Sequence, residues 1–295
     1  MNLRALGEEE LLRKLLPHLP LNRSVVSGAG DDCAVVKFDA EGKNLLVLKT
    51  DCIVEGIHFH PKAKPVDVGW KAMARPLSDF AAMSARPQFA LVTLIAPNET
   101  RIRWTEELYR GLGKAARACE VAIVGGETSR INGPVAISVS ITGVVEKNRW
   151  ISRAGGKADD DLFVTGKLGG SLRGRHLRFI PRIDEARWLT KYFSIHAMMD
   201  LSDGLGVDLP HLARASKLGF ELDRNAIPKN RGCTVEQAIS DGEDYELLFA
   251  IAPNESKTLQ KAWRKKFPKL RLTRIGKLNR SKRNQKLPRG YDHFA

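Results

Sequence analysis

Ala197–Leu218 reads AMMDLSDGLGVDLPHLARASKL, and three local patterns follow one another within it. Ala197–Asp200 is an apolar run that ends in a carboxylate and reads as a strand. Asp200-Leu201-Ser202-Asp203-Gly204 is an acidic turn closed by glycine, and Leu205–Leu218 reads as a helix. A strand that passes through an acidic turn into a helix is a building unit of α/β and α+β folds.

The alternation extends in both directions. Leu162–Thr165 reads as a strand and Ile183–Phe193 as a helix, while Tyr245–Ala252, Glu255–Phe267 and Arg271–Lys277 continue as strand, helix and strand. An earlier series lies before the polar stretch Glu146–Asp161. It opens with a helix over Glu8–Leu16, with Leu11, Leu12, Leu15 and Leu16 along one side, and strands at Cys33–Phe38 and Leu45–Asp51. A helix from about Val66 to Ser84 follows, then a strand at Phe89–Ala96, a helix at Thr105–Cys119 and strands at Val121–Val124 and Val135–Val145. Pro76 lies inside the Val66–Ser84 helix and would kink it, because proline removes a helical hydrogen bond. The natural parse is two α+β halves, residues 1–147 and 148–295. No short internal repeat or low-complexity segment interrupts them.

Composition narrows the function classes. A chain of 295 residues with 43% hydrophobic content can bury one large core or two ordinary ones. No stretch reaches the roughly 18 uninterrupted apolar residues of a membrane helix. The opening MNLRALGEEE lacks the basic flank, apolar run and cleavage site of an export signal, so a cytoplasmic location is expected. Cys33, Cys52, Cys119 and Cys233 are far apart and form no CxxC pair, which argues against a zinc site or a disulfide framework. The net charge of +14 gathers at one end: Ser256–Ala295 holds 14 Lys and Arg against a single acid, Asp292. A solvated basic face accounts for this. No interleaved aromatics or helix-turn-helix pattern accompany it, so no specific nucleic-acid partner is expected.

Acidic residues recur at strand ends and in glycine-containing turns: Gly30-Asp31-Asp32, Thr50-Asp51, Ser78-Asp79, Gly125-Gly126-Glu127-Thr128, Asp200–Gly204 and Asp241-Gly242-Glu243-Asp244. Taken singly, each is equally a turn or helix-capping acid, Ser78-Asp79 and Asp203-Gly204 above all. Taken together, they point to a shared cation, because carboxylates brought close at low dielectric repel strongly. Hard oxygen donors with no cysteine and little histidine select Mg²⁺, which shares itself with phosphate oxygens. No G-x-x-x-x-G-K-[ST] is present, and the protein-kinase signatures are missing as well. A nucleotide would therefore be held through metal-bridged phosphates and glycine-rich segments such as Gly125-Gly126 and Gly169-Gly170-Ser171.

In this order, GDDCAVV, KTDCIVEGIHF, LSDFAAMSARP, VGGETSR, SRAGGK, MDLSDGL, DGEDYELLF and GYDHFA span the chain from about residue 28 to its C-terminus. This string resembles the thiamine-monophosphate kinases, of the aminoimidazole-ribotide-synthetase-like superfamily. The resemblance implies a two-domain α/β (α+β) fold. The N-terminal half would form a sheet or barrel across the two-fold axis of a homodimer and bind ATP and metal, with an α+β C-terminal half. It implies ATP and Mg²⁺ as cofactors and thiamine monophosphate as the acceptor. Metal ligands implied are Asp32, Thr50, Asp51, Asp79, Glu127, Asp200 and Asp203. Gly126, Glu127, Arg153 and Ser202 fall at the nucleotide, and His58, Glu243 and Pro288 on the thiamine-phosphate side. Asp51, Asp200 and Arg153 would carry catalysis. Tyr291 and Phe294 would be packing or rim residues.

Four departures from the family pattern stand out. Glu127 replaces an aspartate, Lys49 stands at a position commonly Ser or Thr, and Pro288 stands where an aromatic often stacks on the substrate. The Ser171–Ala186 stretch is short and carries Arg173, Arg175, Arg178 and Arg182. Together the four departures leave room for a divergent kinase with another phosphorylated substrate. The expected reaction is attack by a terminal oxygen of thiamine monophosphate on the γ-phosphorus of ATP. The rival readings are a same-fold enzyme that activates an amide or carboxylate, and a basic nucleic-acid-binding protein.

Overall fold

The computed structural model describes residues 8–38, 42–281, 285–288 and 290, so Tyr291 and Phe294 lie outside the described residues. The first half comprises α1 (Glu8–Leu15), β1 (Val25–Ser27), β2 (Ala34–Val36), β3 (Asn44–Val54), α2 (Pro65–Ala82), β4 (Arg86–Ala96), α3 (Ile102–Ala118), β5 (Ala122–Arg130) and β6 (Ala136–Glu146). Its strands form one sheet in the order β1-β2-β3-β6-β4-β5, antiparallel except for the β4–β5 pair. The second half comprises β7 (Asp161–Thr165), α4 (Ile183–Tyr192), β8 (Ile195–Asp200), α5 (Leu205–Ala215), β9 (Gly219–Leu222), α6 (Val235–Ser240), β10 (Leu247–Ile251), α7 (Pro253–Lys266) and β11 (Leu272–Asn279). Its sheet runs β8-β10-β7-β11-β9, antiparallel throughout.

The two sheets bury themselves differently. Side chains of a strand alternate between faces. In β3, Leu45, Val47 and Ile53 point into a core shared with Met73 and Phe80 of α2 and Leu108 of α3. The opposite face stays open, with Thr50 on β3 and Phe89 and Leu91 on β4 exposed. The second sheet is covered on both faces, by α5 on one side and by α4 and α7 on the other. This is why β7 and β10 are buried along their whole length and read as short continuous apolar runs.

Helix α2 is the hinge of the architecture. It packs on the first sheet yet contributes Ala81 to the core of the second half. It crosses α3 at very close range: a Cβ on Gly69 would lie 2.0 Å from the Leu108 carbonyl oxygen, and one on Gly111 2.0 Å from that of Val66. Only glycine at both positions permits that approach. The helix expected over about Val66–Ser84 runs from Pro65 to Ala82 and continues through Pro76, because its C-terminal half is buried from both sides and packing outweighs one missing hydrogen bond.

Several boundaries differ from the sequence reading for identifiable reasons. Thr50-Asp51 lies inside β3 rather than at its end, since β6 pairs with β3 as far as Val54. Gly125–Thr128 is part of edge strand β5 rather than a turn, and Ser78-Asp79 is helical. The short β9 and α6 were not read from the sequence; α6 carries a capping box between Thr234 and Gln237. Among the described residues, no helix is long and apolar enough to cross a membrane, and all four cysteines are free.

Candidate active site

Lys71, Arg75 and Asp79 recur at four-residue intervals along α2, with Ser78 beside them, so one helix face carries them all. This face looks onto the junction of the two halves. Asp79 meets Asp32, from the loop before β2, and Asp200, from the end of β8. Each of the three offers a carboxylate oxygen, and these oxygens lie within 4.8 Å of one another. The residues are only 4% (Asp32), 9% (Asp79) and 3% (Asp200) exposed. The Ser78 hydroxyl donates to Asp200 Oδ2 at 2.6 Å.

Two of the three carboxylates, Asp79 and Asp200, resist ionisation. Burial, opposed by Lys49 and reinforced by Asp51, Asp200 and Asp32, pushes the Asp79 carboxyl well above its usual range. Burial and the neighbouring Asp32 raise Asp200 to about 7, against the hydrogen bond from Ser78. Asp32 Oδ1 accepts from the Arg153 guanidinium, while its buried Oδ2 has no hydrogen-bond partner. The Arg153 backbone N–H also donates to Asp31 Oδ1 at 3.3 Å. An all-oxygen donor set, mutual repulsion and an orphaned buried oxygen fit a hard divalent cation such as Mg²⁺.

The other expected ligands are distributed unevenly. Asp51 adjoins the triad through Lys49, whose Nζ lies 3.0 Å from Asp79 Oδ2 and 3.8 Å from Asp51 Oδ1. Burial alone would lower the Lys49 ammonium, but Asp79 and Asp51 outweigh it and raise it. Asp203 opens the turn before α5, where its backbone N–H donates to the buried Asp208 at 3.1 Å. The Ser202 carbonyl accepts the Glu243 N–H at 2.6 Å.

The structure removes Thr50 and Glu127 from this cluster within one chain. The Thr50 side chain alternates to the open face of β3, where Ser140 Oγ donates to its hydroxyl at 3.0 Å. Gly126 is in register, through Val92 and Val139, with Asp51. Gly126 and Glu127 therefore lie three strand spacings away, about 14 Å at ~4.8 Å per strand. Glu127 is exposed there, with Oε1 accepting the Thr128 N–H at 3.0 Å.

The residues expected on the acceptor side share a buried lysine. Lys71 Nζ, wholly buried, donates to both Glu243 oxygens at 2.6 and 2.8 Å and to the His58 carbonyl at 2.5 Å. His58 Nδ1 accepts the Val54 N–H at 3.0 Å. Tyr245 stacks on Phe179 with ring centroids 3.8 Å apart, and its hydroxyl donates to Glu243 Oε1 at 3.4 Å. Arg75 donates to the Cys52 carbonyl at 3.1 Å. The Pro288 carbonyl packs on Gly206 at the start of α5, so the C-terminal segment adjoins the acidic turn. Lys71 and Arg75 were missed in the sequence; two cations one helical turn apart inside an otherwise apolar run were the available signal.

The arginines of the short Ser171–Ala186 stretch are largely engaged within the chain. Arg175 pairs with Asp244, Arg178 with Asp67 at 2.6 Å, and Arg182 with Glu246 at 2.6 and 2.7 Å. Three of the four cations are thus committed to internal acids.

Comparison with known proteins places the chain in a family. Residues 30–145 match the AIR synthase related protein N-terminal domain and residues 141–285 its C-terminal domain. A thiamine-monophosphate kinase from Rhodopirellula baltica is 40% identical over 271 residues, covering 86% of this chain and 84% of the relative. One from Salmonella typhimurium is 34% identical over 277 residues, covering 84% and 83%. The solved structure described as "AaThiL complexed with AMPPCP and TMP" superposes with a TM-score of 0.86 at 31% identity, covering 99% of each chain. With this coverage, identity and fold, the chain belongs to the thiamine-monophosphate kinase family.

Proposed function

We propose that the chain transfers the γ-phosphoryl group of ATP to thiamine monophosphate, giving thiamine diphosphate and ADP, at the junction of its two halves. The observation that carries this reading is the convergence of Asp32, Asp79 and Asp200 to within 4.8 Å from three separate segments. These carboxylates would hold Mg²⁺, which when bound neutralises phosphate oxygens so that one anion can approach another.

The residues of the chain divide the remaining work. A terminal oxygen of thiamine monophosphate forms the new bond to the γ-phosphorus as the bond to the departing ADP oxygen breaks. A phosphate monoester, with a second pKa of about 6, is already mostly dianionic at neutral pH. No side chain needs to remove a proton from it. Arg153, poised against Asp32, supplies positive charge at the nucleotide phosphates. Asp51, which adjoins the triad through Lys49, and Asp203, in the turn that follows Asp200, would serve as further acids. Lys71 fixes Glu243 and the His58 segment, which bound the acceptor side together with Tyr245. Pro288, whose carbonyl packs on Gly206 beside the acidic turn, would close the same side. Gly126 would serve the nucleotide from edge strand β5, and Glu127 and Thr50 only from the open face of the first sheet.

That face supports a homodimer. Phe89, Leu91 and Val124 are at least half exposed on it, and an uncovered apolar sheet face favours a second copy. Light scattering tests this: a dimer that Leu91→Arg converts to monomer supports it, and a monomeric unmodified chain refutes it. We place the protein in the cytoplasm, in keeping with its four free thiols.

One assay tests the activity: purified protein with ATP and Mg²⁺, offered thiamine, thiamine monophosphate and other phosphomonoesters in parallel. Diphosphate formation from thiamine monophosphate is the expected result. Preference for another acceptor overturns the assignment.

A further inference from the structure

We infer that Lys49 is a resident cation of the acidic site and occupies with its ammonium a position that a divalent ion would otherwise take. The inference rests on the metal-holding role proposed for Asp32, Asp79 and Asp200.

Lys49 and Asp51 are two residues apart on β3 and project from the same face of the strand. That face is directed at α2, and the Lys49 ammonium reaches Asp79 Oδ2 at 3.0 Å and Asp51 Oδ1 at 3.8 Å. The lysine side chain is only 23% exposed, so its charge is committed to the site rather than to solvent. Asp79 is thereby shared. It belongs to the oxygen triad with Asp32 and Asp200, and to a second pair with Asp51 that is already bridged by the ammonium.

An ammonium and a divalent ion compete for the same carboxylate oxygens, but they differ in one respect. The lysine is tethered and cannot leave, so it contributes no dependence on metal concentration. Its presence divides the acids into an end that exchanges metal, at Asp32, Asp79 and Asp200, and an end neutralised by the chain itself, at Asp51 and Asp79. Removing the tethered charge and its bulk opens that second end to a metal ion.

The test counts Mn²⁺ bound per chain by electron paramagnetic resonance, with Mn²⁺ as the visible substitute for Mg²⁺ and with no nucleotide or acceptor present. Lys49→Thr is expected to bind one more Mn²⁺ than the unmodified chain, and Lys49→Arg, which keeps the charge, the same number as the unmodified chain. Equal counts for Lys49→Thr and the unmodified chain overturn the inference. Should Lys49→Thr be unfolded without metal, recovery of its circular dichroism on adding Mn²⁺ supports the inference, and no recovery overturns it. Asp200→Asn separates the underlying reading. Loss of the Mn²⁺ that the unmodified chain binds supports the triad, and an unchanged count refutes the triad whatever Lys49→Thr does.

Discussion

The Ser78 hydroxyl, on a helix of the first half, donates to Asp200 Oδ2 at 2.6 Å, on the last residue of a strand in the second half. Both residues are almost wholly buried, at 1% and 3% exposure. Docking of the halves and orientation of the carboxylate are therefore one event. The serine leaves the rest of Asp200 available to the cluster formed with Asp32 and Asp79.

Ser78→Ala should keep the fold but let Asp200 rotate. Loss of a partner that orients a metal-ligating carboxylate costs roughly 10–100-fold in metal affinity or activity. The dependence of turnover on Mg²⁺ concentration measures this, and an unchanged midpoint would count against the orienting role.

Asp200→Asn should lower turnover by more than about 10²-fold, the scale of removing one preorganised electrostatic group. Its metal-free melting temperature should stay level or rise, because one of three mutually repelling buried carboxylates is gone. Asp51→Asn should be milder, since Asp51 adjoins the triad through Lys49. Equal losses from Asp51→Asn and Asp200→Asn would overturn that ranking.

The pair of Lys71 and Glu243 should respond asymmetrically. Lys71 is 0% exposed and Glu243 19%, so Glu243→Ala strands the less accessible charge. Breaking a buried pair costs about 3–5 kcal/mol, a ceiling here because the lysine can shed its proton. Burial already lowers Lys71 to about 8 with Glu243 opposing the shift. Lys71→Met should cost less, and Lys71→Met with Glu243→Leu should recover much of the loss. Urea denaturation of the three variants decides it; equal midpoints for the single variants contradict the argument.

Acid should weaken the link between Glu146, at the end of β6, and Arg187 on α4. Hydrogen bonds from Arg187, at 2.6 and 2.7 Å, hold the Glu146 carboxyl down at about 2, against an ordinary 4.5. The unfolded chain therefore binds the proton first. The contribution of this carboxylate to stability is complete above pH 4.5 and is lost as pH falls towards 2. Glu146→Gln should flatten the pH dependence of the urea midpoint in that window and leave it unchanged near neutrality in slope. A variant as acid-sensitive as the unmodified chain would refute the assignment.

Much of the architecture was legible locally. The apolar runs of β7 and β10 and the amphipathic α3 carry their periodicity in consecutive residues, so they could be read without knowing their neighbours. β9 and α6 were too short to show a period, while the local cost of Pro76 inside α2 is overcome by burial supplied from both halves. In the site, the acids were found by type and motif, but their faces were not. A one-residue step in β3 sends Thr50 to the open face and Asp51 to the covered one.

The sequence by itself determined which residues were acidic, where the longer strands and helices run, and which family the motifs resemble, because these follow from side-chain chemistry and short-range spacing. Only the tertiary structure decided that Asp32, Asp79 and Asp200 share one small volume, that Lys49 bridges Asp79 and Asp51, and that Lys71 sits beneath Glu243. Apart from Lys49 with Asp51, those contacts join residues far apart in the chain, and their distances are fixed by how α2 packs between two sheets.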